Sequence, residues 1–457
     1  MVAEPVPSID ELVTPEPDDP NAPPLVSQPS TVEETGLELS MLTDLMLKTV
    51  HFAGRPSGRQ LSQQMAISVG VTDELVSFLR QEQDIEVVGT AGVAEQGYQY
   101  GLTEKGQARA NDALARSQYL GPAPVPFALY IDVLERQSVD NIHIDLETFQ
   151  AGLSDLVLSD AVLAALGPAI NSGKSLLLYG NAGNGKSSIT MAIGRMLPGA
   201  VLIPYAVEIH GQIIRVFDPR VHEEIEVAAD PERRNEGIIP FPTSGAERRR
   251  DARWAITRRP VVSVGGELTL EDLELRYSQV SHFYIAPLQW KANSGILIVD
   301  DFGRQMIQPQ ELLNRWIVPM EQGIDHLTLQ TGDMVEAPFD VLLIFSSNIP
   351  PGRLGDEAFF RRIRHKVETP NPTMDEYLLI LKRICKDRGI PYSEEGAKYL
   401  IASQYEERGR EPKACHPRDI VDLIIDFSKF HGGEPALEPR WIDLASASYF
   451  VDVDEAP

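Results

Sequence analysis

"LLLYGNAGNGKSSIT", residues 176–190, passes from apolar residues through a glycine-rich turn into a helical pattern. Gly180-Asn181-Ala182-Gly183-Asn184-Gly185-Lys186-Ser187 satisfies GxxxxGK[ST] at every position. The apolar run before it reads as a buried strand, and "SSITMAIGRML" behind it has helical apolar spacing, which is the strand–loop–helix context the motif requires. Glycines let the backbone curl so that its N–H groups face an anion, next to a helix N-terminus with partial positive charge. Lys186 is expected to reach the β- and γ-phosphates, and the Ser187 hydroxyl to ligate Mg²⁺. The residues expected to hold ATP are Gly180, Asn181, Ala182, Gly183, Asn184, Gly185, Lys186, Ser187 and Ser188. A glycine turn carrying a surface lysine is the plainer alternative, and the complete motif in its context argues against it.

A phosphate loop serves many enzymes, so its companions decide the chemistry. "SGILIVDDFGRQ" places Ile296 to Val299 ahead of Asp300 and Asp301. A buried parallel strand ending in acids delivers them beside the phosphates. Asp300 is expected to hold Mg²⁺ through water and Asp301 to polarise the attacking water. "FDVLLIFSSNIPP" is a second apolar strand, ending at Asn348, a candidate for orienting that water; Asn before Ile-Pro-Pro also suits a simple turn. "DEAFFRRIRHKVETPNP" supplies Arg361 and Arg362, candidate arginine fingers for a neighbouring subunit's nucleotide or a basic solvated helix face. "KACHPRDIVDLIIDF" puts Arg418 at the start of an amphipathic helix, from which it is expected to approach the γ-phosphate.

Composition narrows the class. The chain has 457 residues, room for two or three domains, and 43% apolar residues, as in a soluble globular protein. Its start lacks a basic n-region and an apolar h-region, and no run nears ~20 apolar residues, so neither a signal peptide nor a membrane span is expected. Two cysteines, Cys385 and Cys415, rule out a disulfide framework and suit a reducing cytoplasm. With His416 they match no common zinc spacing. A net charge of −26 argues against a coat of phosphate-neutralising cations.

Residues 1–36 read as a disordered acidic, proline-rich tail: the first 35 carry eight acids, eight prolines and no Lys or Arg. Residues 37–120 read as a winged helix-turn-helix. Helical spacing at Leu39, Leu42, Leu45, Met46 and Thr49 opens it, and two short helices follow, the second with Thr72 as N-cap. "IEVVG" and "YQYGLT" then read as strands, and a closing helix follows. DNA binding is the usual use of this arrangement, but the candidate recognition helix carries Asp73, Glu74, Glu82 and only Arg80, so protein docking or a structural role is favoured. Residues 121–144, opening with the proline-rich connector "GPAPVPF" and followed by a short helical stretch, read as a linker.

In series, the glycine loop, double-acid strand, polar strand end, arginine pair and Pro-Arg-Asp helix start resemble the AAA+ ATPase family, in its chain order over roughly residues 145–450. The resemblance implies an α/β P-loop domain over 145–370, a helical lid over 371–457, and a ring, commonly a hexamer, with ATP at subunit interfaces. "FYIAPLQWKANSGILIVDDFGR" and "HLTLQTGDMVEAPFDVLL" are similar to the MoxR and magnesium-chelatase pattern, whose pre-sensor-1 hairpin faces the pore. Family members usually have Glu where Asp301 stands, one methylene longer, and more often Thr where Ser187 stands. The stretch about 205–260 is long for the family: "VEIHGQIIRVF" suggests a hairpin turning at His210-Gly211, and the charged "DPERRNEGIIPFPTSGAERRRDARW" an exposed insertion. The expected output is remodelling of an unidentified protein client by a homo-oligomer. The rivals are a DNA-bound ATPase and a nucleotide-dependent scaffold with little turnover.

Overall fold

Leu176–Tyr179 forms the strand before the phosphate loop, and its place in the sheet organises the molecule. The computed structural model describes residues 13–14, 23–90, 98–225, 250–355 and 360–450. In it a five-stranded sheet runs in the order Val261–Val264, Gly295–Val299, Val341–Ser347, Leu176–Tyr179, His365–Glu368. Every neighbouring pair is parallel. The strands are apolar at successive positions because both faces are covered. Leu176, Leu178, Ile296, Ile298, Leu342 and Ile344 pack into one core, with Ile189 and Ile193 of the Lys186–Met196 helix. Leu177, Leu297, Val299, Leu343 and Phe345 pack into the opposite core, against Trp316 of the Pro309–Gln322 helix. Full burial of each such side chain contributes about 1.5–3 kcal/mol.

A second β layer fills the long stretch between the phosphate-loop helix and the sheet's edge strand. Ala206–Ile209 and Gln212–Arg215 pair antiparallel, and the turn between them is the expected one, with His210 and Gly211 at φ 50° and 78°. Arg276–Tyr277 and Tyr284–Ile285 extend this sheet on one side, and Val125–Pro126 on the other. Ala200–Pro204 pairs with Trp254–Arg258 over five positions. Within the stretch about 205–260, Val207, Ile209 and Ile214 of the hairpin and Trp254 are buried in one core. Most of the charged segment, residues 226–249, lies outside the described residues.

The hairpin Ile324–Thr328/Met334–Pro338 joins that core. Its Leu327, Leu329, Val335 and Ala337 are buried, and Gln330 N donates to Tyr284 Oη at 2.9 Å. One face of the hairpin is thus covered by its own chain.

In the amino-terminal region, helices Leu39–Ala53, Gly58–Met65 and Val69–Gln81 precede the antiparallel pair Ile85–Thr90/Tyr98–Leu102 and the helix Glu104–Arg116. Thr72 is not the N-cap. Ser68 accepts from Val71 N, so the third helix starts earlier, and Thr72 is buried inside it with its hydroxyl donating to Ser68 O. Ser at Ncap satisfies a backbone donor the helix would otherwise leave free.

Two further expectations are corrected. Residues 23–36 are not a free tail: Val26, Val32 and Thr35 are buried. Composition gauges what a segment buries by itself, whereas these residues dock on a surface built elsewhere. Residues 121–144 are not a bare linker either, since Val125–Pro126 is a strand and Phe127–Arg136 a helix with Leu129, Tyr130, Val133 and Leu134 buried. The prolines lie where no helical or central-ladder donor is needed, with Pro126 at the helix N-cap.

The buried ion pair Arg253–Asp251 fastens both segments, at 2.8 Å with 1% and 0% side-chain exposure. Arg253 Nη1 also donates to Thr35 O and Pro124 O, and Asp251 N donates to Val26 O. Removing one member of such a pair strands the other charge away from water. Arg253→Ala should therefore cost about 3–5 kcal/mol in chemical denaturation and speed proteolysis near residues 121–126.

Candidate functional site

The phosphate loop begins where Leu176–Tyr179 ends, and Lys186 opens the helix behind it. Gly180 sits at φ 146°, and a Cβ there would collide with the carbonyl oxygen of Thr369. Gly183, at φ 88°, would drive a Cβ to 2.5 Å from Cys415 Sγ. These two positions exclude larger residues for separate reasons: contact with the chain after the last strand, and contact with the helical lid. Lys186 is buried, and its Nζ donates to Gly180 O and Asn181 O, each at 2.9 Å. Burial lowers the ammonium's pKa below its ordinary value, and the carboxylates of Asp300 and Asp301 oppose that shift.

The acidic strand end is held from both sides. Asp300 N donates to Val264 O and Phe302 N to Ser346 O, so both neighbouring strands fix the turn. Ser187 Oγ donates to Asp300 Oδ2 at 2.9 Å. Asp301 adopts φ 50°, a left-handed conformation uncommon outside glycine, and its Oδ1 accepts from Asn348 Nδ2 at 2.7 Å. Strained backbone of this kind persists where surrounding structure over-determines it.

Ala182 to Ser188, Asp300, Asp301, Asn348 and Arg418 all line one cleft of about 400 Å³, at the carboxyl ends of the parallel strands. Gly180 and Asn181 lead into it. Arg418 reaches the rim from the first turn of His416–Phe430, with its Nε on Asp419 Oδ1 at 3.0 Å. Arg361 and Arg362 are elsewhere. They precede His365–Glu368, whose first residue pairs with Leu176 and whose last pairs with Tyr179. A four-residue strand spans ~13 Å, so the arginines lie at the opposite end of the strand from their own phosphate loop. Arg362 Nε donates to Glu321 Oε1 at 2.9 Å, and Arg361 is exposed.

Sequence reading misses the cleft's apolar wall. Leu156, Val157 and Leu158 face Ile380 and Ile384 of the Met374–Arg388 helix, with Asp387 beside them. Arg383 of that helix clasps the opposite wall, its Nη1 donating to Ser154 O at 2.7 Å and Leu156 O at 3.3 Å. No local spacing announces a contact between residues so distant in the chain. Cys415 N also donates to Gly183 O at 2.8 Å, bringing the lid onto the loop.

Among the described residues no cluster of three His, Cys, Asp or Glu forms a metal centre, and no helix is long and apolar enough to cross a membrane. A serine hydroxyl and an aspartate oxygen 2.9 Å apart are hard donors of the type that suits Mg²⁺, which keeps several waters and phosphate oxygens as further ligands.

The parallel sheet, the phosphate loop at its switch point and the lid define the α/β fold of the P-loop NTPases. A family model described as a domain of unknown function (DUF8689) matches residues 373–448, the lid helices. No curated protein matches the chain. Among solved structures, NtrX from Brucella abortus in complex with ADP is similar at 13% identity, over 77% of this chain and 69% of that one, with a TM-score of 0.37. The RuvB Holliday junction branch migration motor of Thermotoga maritima is similar at 14% identity, over 68% of this chain and 71% of that one, with a TM-score of 0.33.

His416, the first residue of the Arg418 helix, is buried in the lid core, its Nδ1 3.0 Å from Tyr405 Oη. Burial, aided by Lys413 and Arg410 and opposed by Asp419, takes its pKa from an ordinary 6.5 to about 4. The folded protein thus favours the neutral ring. That contribution to stability is complete above pH 6.5 and is lost as pH falls toward 4. Thermal unfolding of wild type should therefore lose more midpoint temperature across this window than that of His416→Gln.

Proposed function

We propose that this chain is an AAA+ ATPase, which binds MgATP in the cleft and couples its hydrolysis to remodelling of a protein partner. The observation that carries the reading is the convergence of Ser187 Oγ on Asp300 Oδ2 beside Lys186, with Asp301 held by Asn348. In this reading the loop N–H groups and Lys186 bind the β- and γ-phosphates. Ser187 and Asp300 hold Mg²⁺, which neutralises phosphate charge when bound. Asp301 accepts a hydrogen bond from the attacking water, and Asn348 fixes where that carboxylate points. Positioning and electrostatics of this sort suffice for phosphoryl transfer, without a covalent intermediate.

The remote position of Arg361 and Arg362 supports a ring, commonly a hexamer, in which one copy's arginine meets its neighbour's γ-phosphate. The hairpin before the Asn348 strand supports a place near the MoxR and magnesium-chelatase clade, and the two free cysteines suit a cytoplasmic protein.

Lys186→Ala should lose nucleotide binding, whereas Asp301→Asn should bind ATP and release no phosphate. Arg361→Ala/Arg362→Ala should bind ATP and lose ~10³-fold or more of hydrolysis. Mixing it with Lys186→Ala subunits should return part of the phosphate release. Two assembled, folded variants that fail to complement would refute the shared site.

The winged-helix reading of residues 37–120 is assigned to protein docking. Val32 N donates to Glu74 Oε2 at 2.9 Å, and a Cβ on Gly70 would meet Ser30 O at 2.5 Å. The start of the candidate recognition helix is therefore covered by the chain's own acidic segment, where Glu33 and Glu34 lie. Labelled duplex DNA should show no salt-dependent shift with the full chain, and a shift lost on deleting residues 1–121 would reverse the assignment.

A further inference from the structure

Asn181 and Asn184 of the phosphate loop share one acceptor. Both side-chain Nδ2 groups donate to Asn371 Oδ1, at 3.1 and 2.8 Å. Asn371 Nδ2 donates in turn to Glu411 Oε2 at 2.6 Å. Asn371 stands in the connector between His365–Glu368 and the first lid helix, and Glu411 lies a few residues before a direct contact of lid and loop. At that contact Ala414 N donates to Asn184 Oδ1 at 3.4 Å, and Cys415 N to Gly183 O. Loop, connector and lid form a closed circuit.

The direction of the circuit follows from donor chemistry. An ionised carboxylate only accepts, so Glu411 requires an N–H from Asn371. That choice turns Asn371 Oδ1 toward the loop, where two amide donors meet it. A reversed Asn371 amide would put N–H against N–H at the loop and oxygen against carboxylate at the lid. The bond to Glu411 is charge-assisted and polarises the bonds that follow it.

We propose that Asn371 is a positioning residue for the phosphate loop and that Glu411 sets its orientation, so nucleotide affinity depends on a lid carboxylate. This rests on the nucleotide-binding reading above. Glu411 is exposed, so its replacement does not threaten the fold. Simple electrostatics and the relay predict opposite signs. Removing an anion near a phosphate site should tighten binding if charge alone acts, and should loosen it if the carboxylate orients Asn371.

The test is titration of the full chain with ADP and Mg²⁺, read as a dissociation constant at fixed ionic strength. Glu411→Ala should bind about tenfold more weakly than wild type, and Asn371→Ala at least as weakly. Glu411→Gln, which keeps a carbonyl oxygen for Asn371 Nδ2, should recover most of the loss although it carries no charge. Unchanged or tighter binding by Glu411→Ala overturns the relay, as does a Glu411→Gln variant as weak as Glu411→Ala. Failure of wild type to bind ADP would instead overturn the nucleotide-binding reading itself.

Discussion

Leu176–Tyr179 has hydrogen-bonded neighbours on both edges, Val341–Ser347 on one side and His365–Glu368 on the other. Both come from much later in the chain, and the site depends on that central position. The strand before the phosphate loop must be rigid, because the loop can aim its N–H groups only if its anchor does not move. Flanking strands also bring their own carboxyl ends to the same edge. Asn348 arrives on one of them, and Gly295–Val299 delivers Asp300 and Asp301 one place further along. The parallel order therefore assembles the cleft from segments that share no local contact.

The second β layer gives the amino-terminal helices a fixed seat. Tyr119 meets Phe283 edge to face at 5.7 Å, and Gln118 N donates to Ser281 O at 2.8 Å. Arg253, bonded to Thr35 O and Pro124 O, ties the segments that flank those helices to the chain beside Trp254 through buried contacts.

Much of the site is legible in the sequence because its parts are contiguous in the chain. The glycine loop, the acid pair and the Asn348 strand end each occupy a few consecutive residues, and buried parallel strands must be apolar throughout. The hairpin at His210-Gly211 is legible for the same local reason. Thr72 reads as a cap because Asp73 and Glu74 follow it as acids follow a cap in a first turn, whereas the helix already starts at Val69 behind Ser68. Residues 23–36 and the stretch 121–144 mislead because proline and acid content measure a segment's own capacity for burial. They say nothing of a surface elsewhere that covers Val26 or Val125.

The sequence by itself determined the chemistry available at the loop and the strand ends, since backbone curvature at glycines and carboxylates at the ends of apolar strands follow from short local patterns. Only the tertiary structure decided the neighbours: Arg383 on Ser154 O, Cys415 on Gly183 O, and Asn371 between the loop and Glu411. It also placed Arg361 and Arg362 away from their own loop. Such contacts join residues far apart in the chain, and they exist only after the sheet order has brought those segments to one edge.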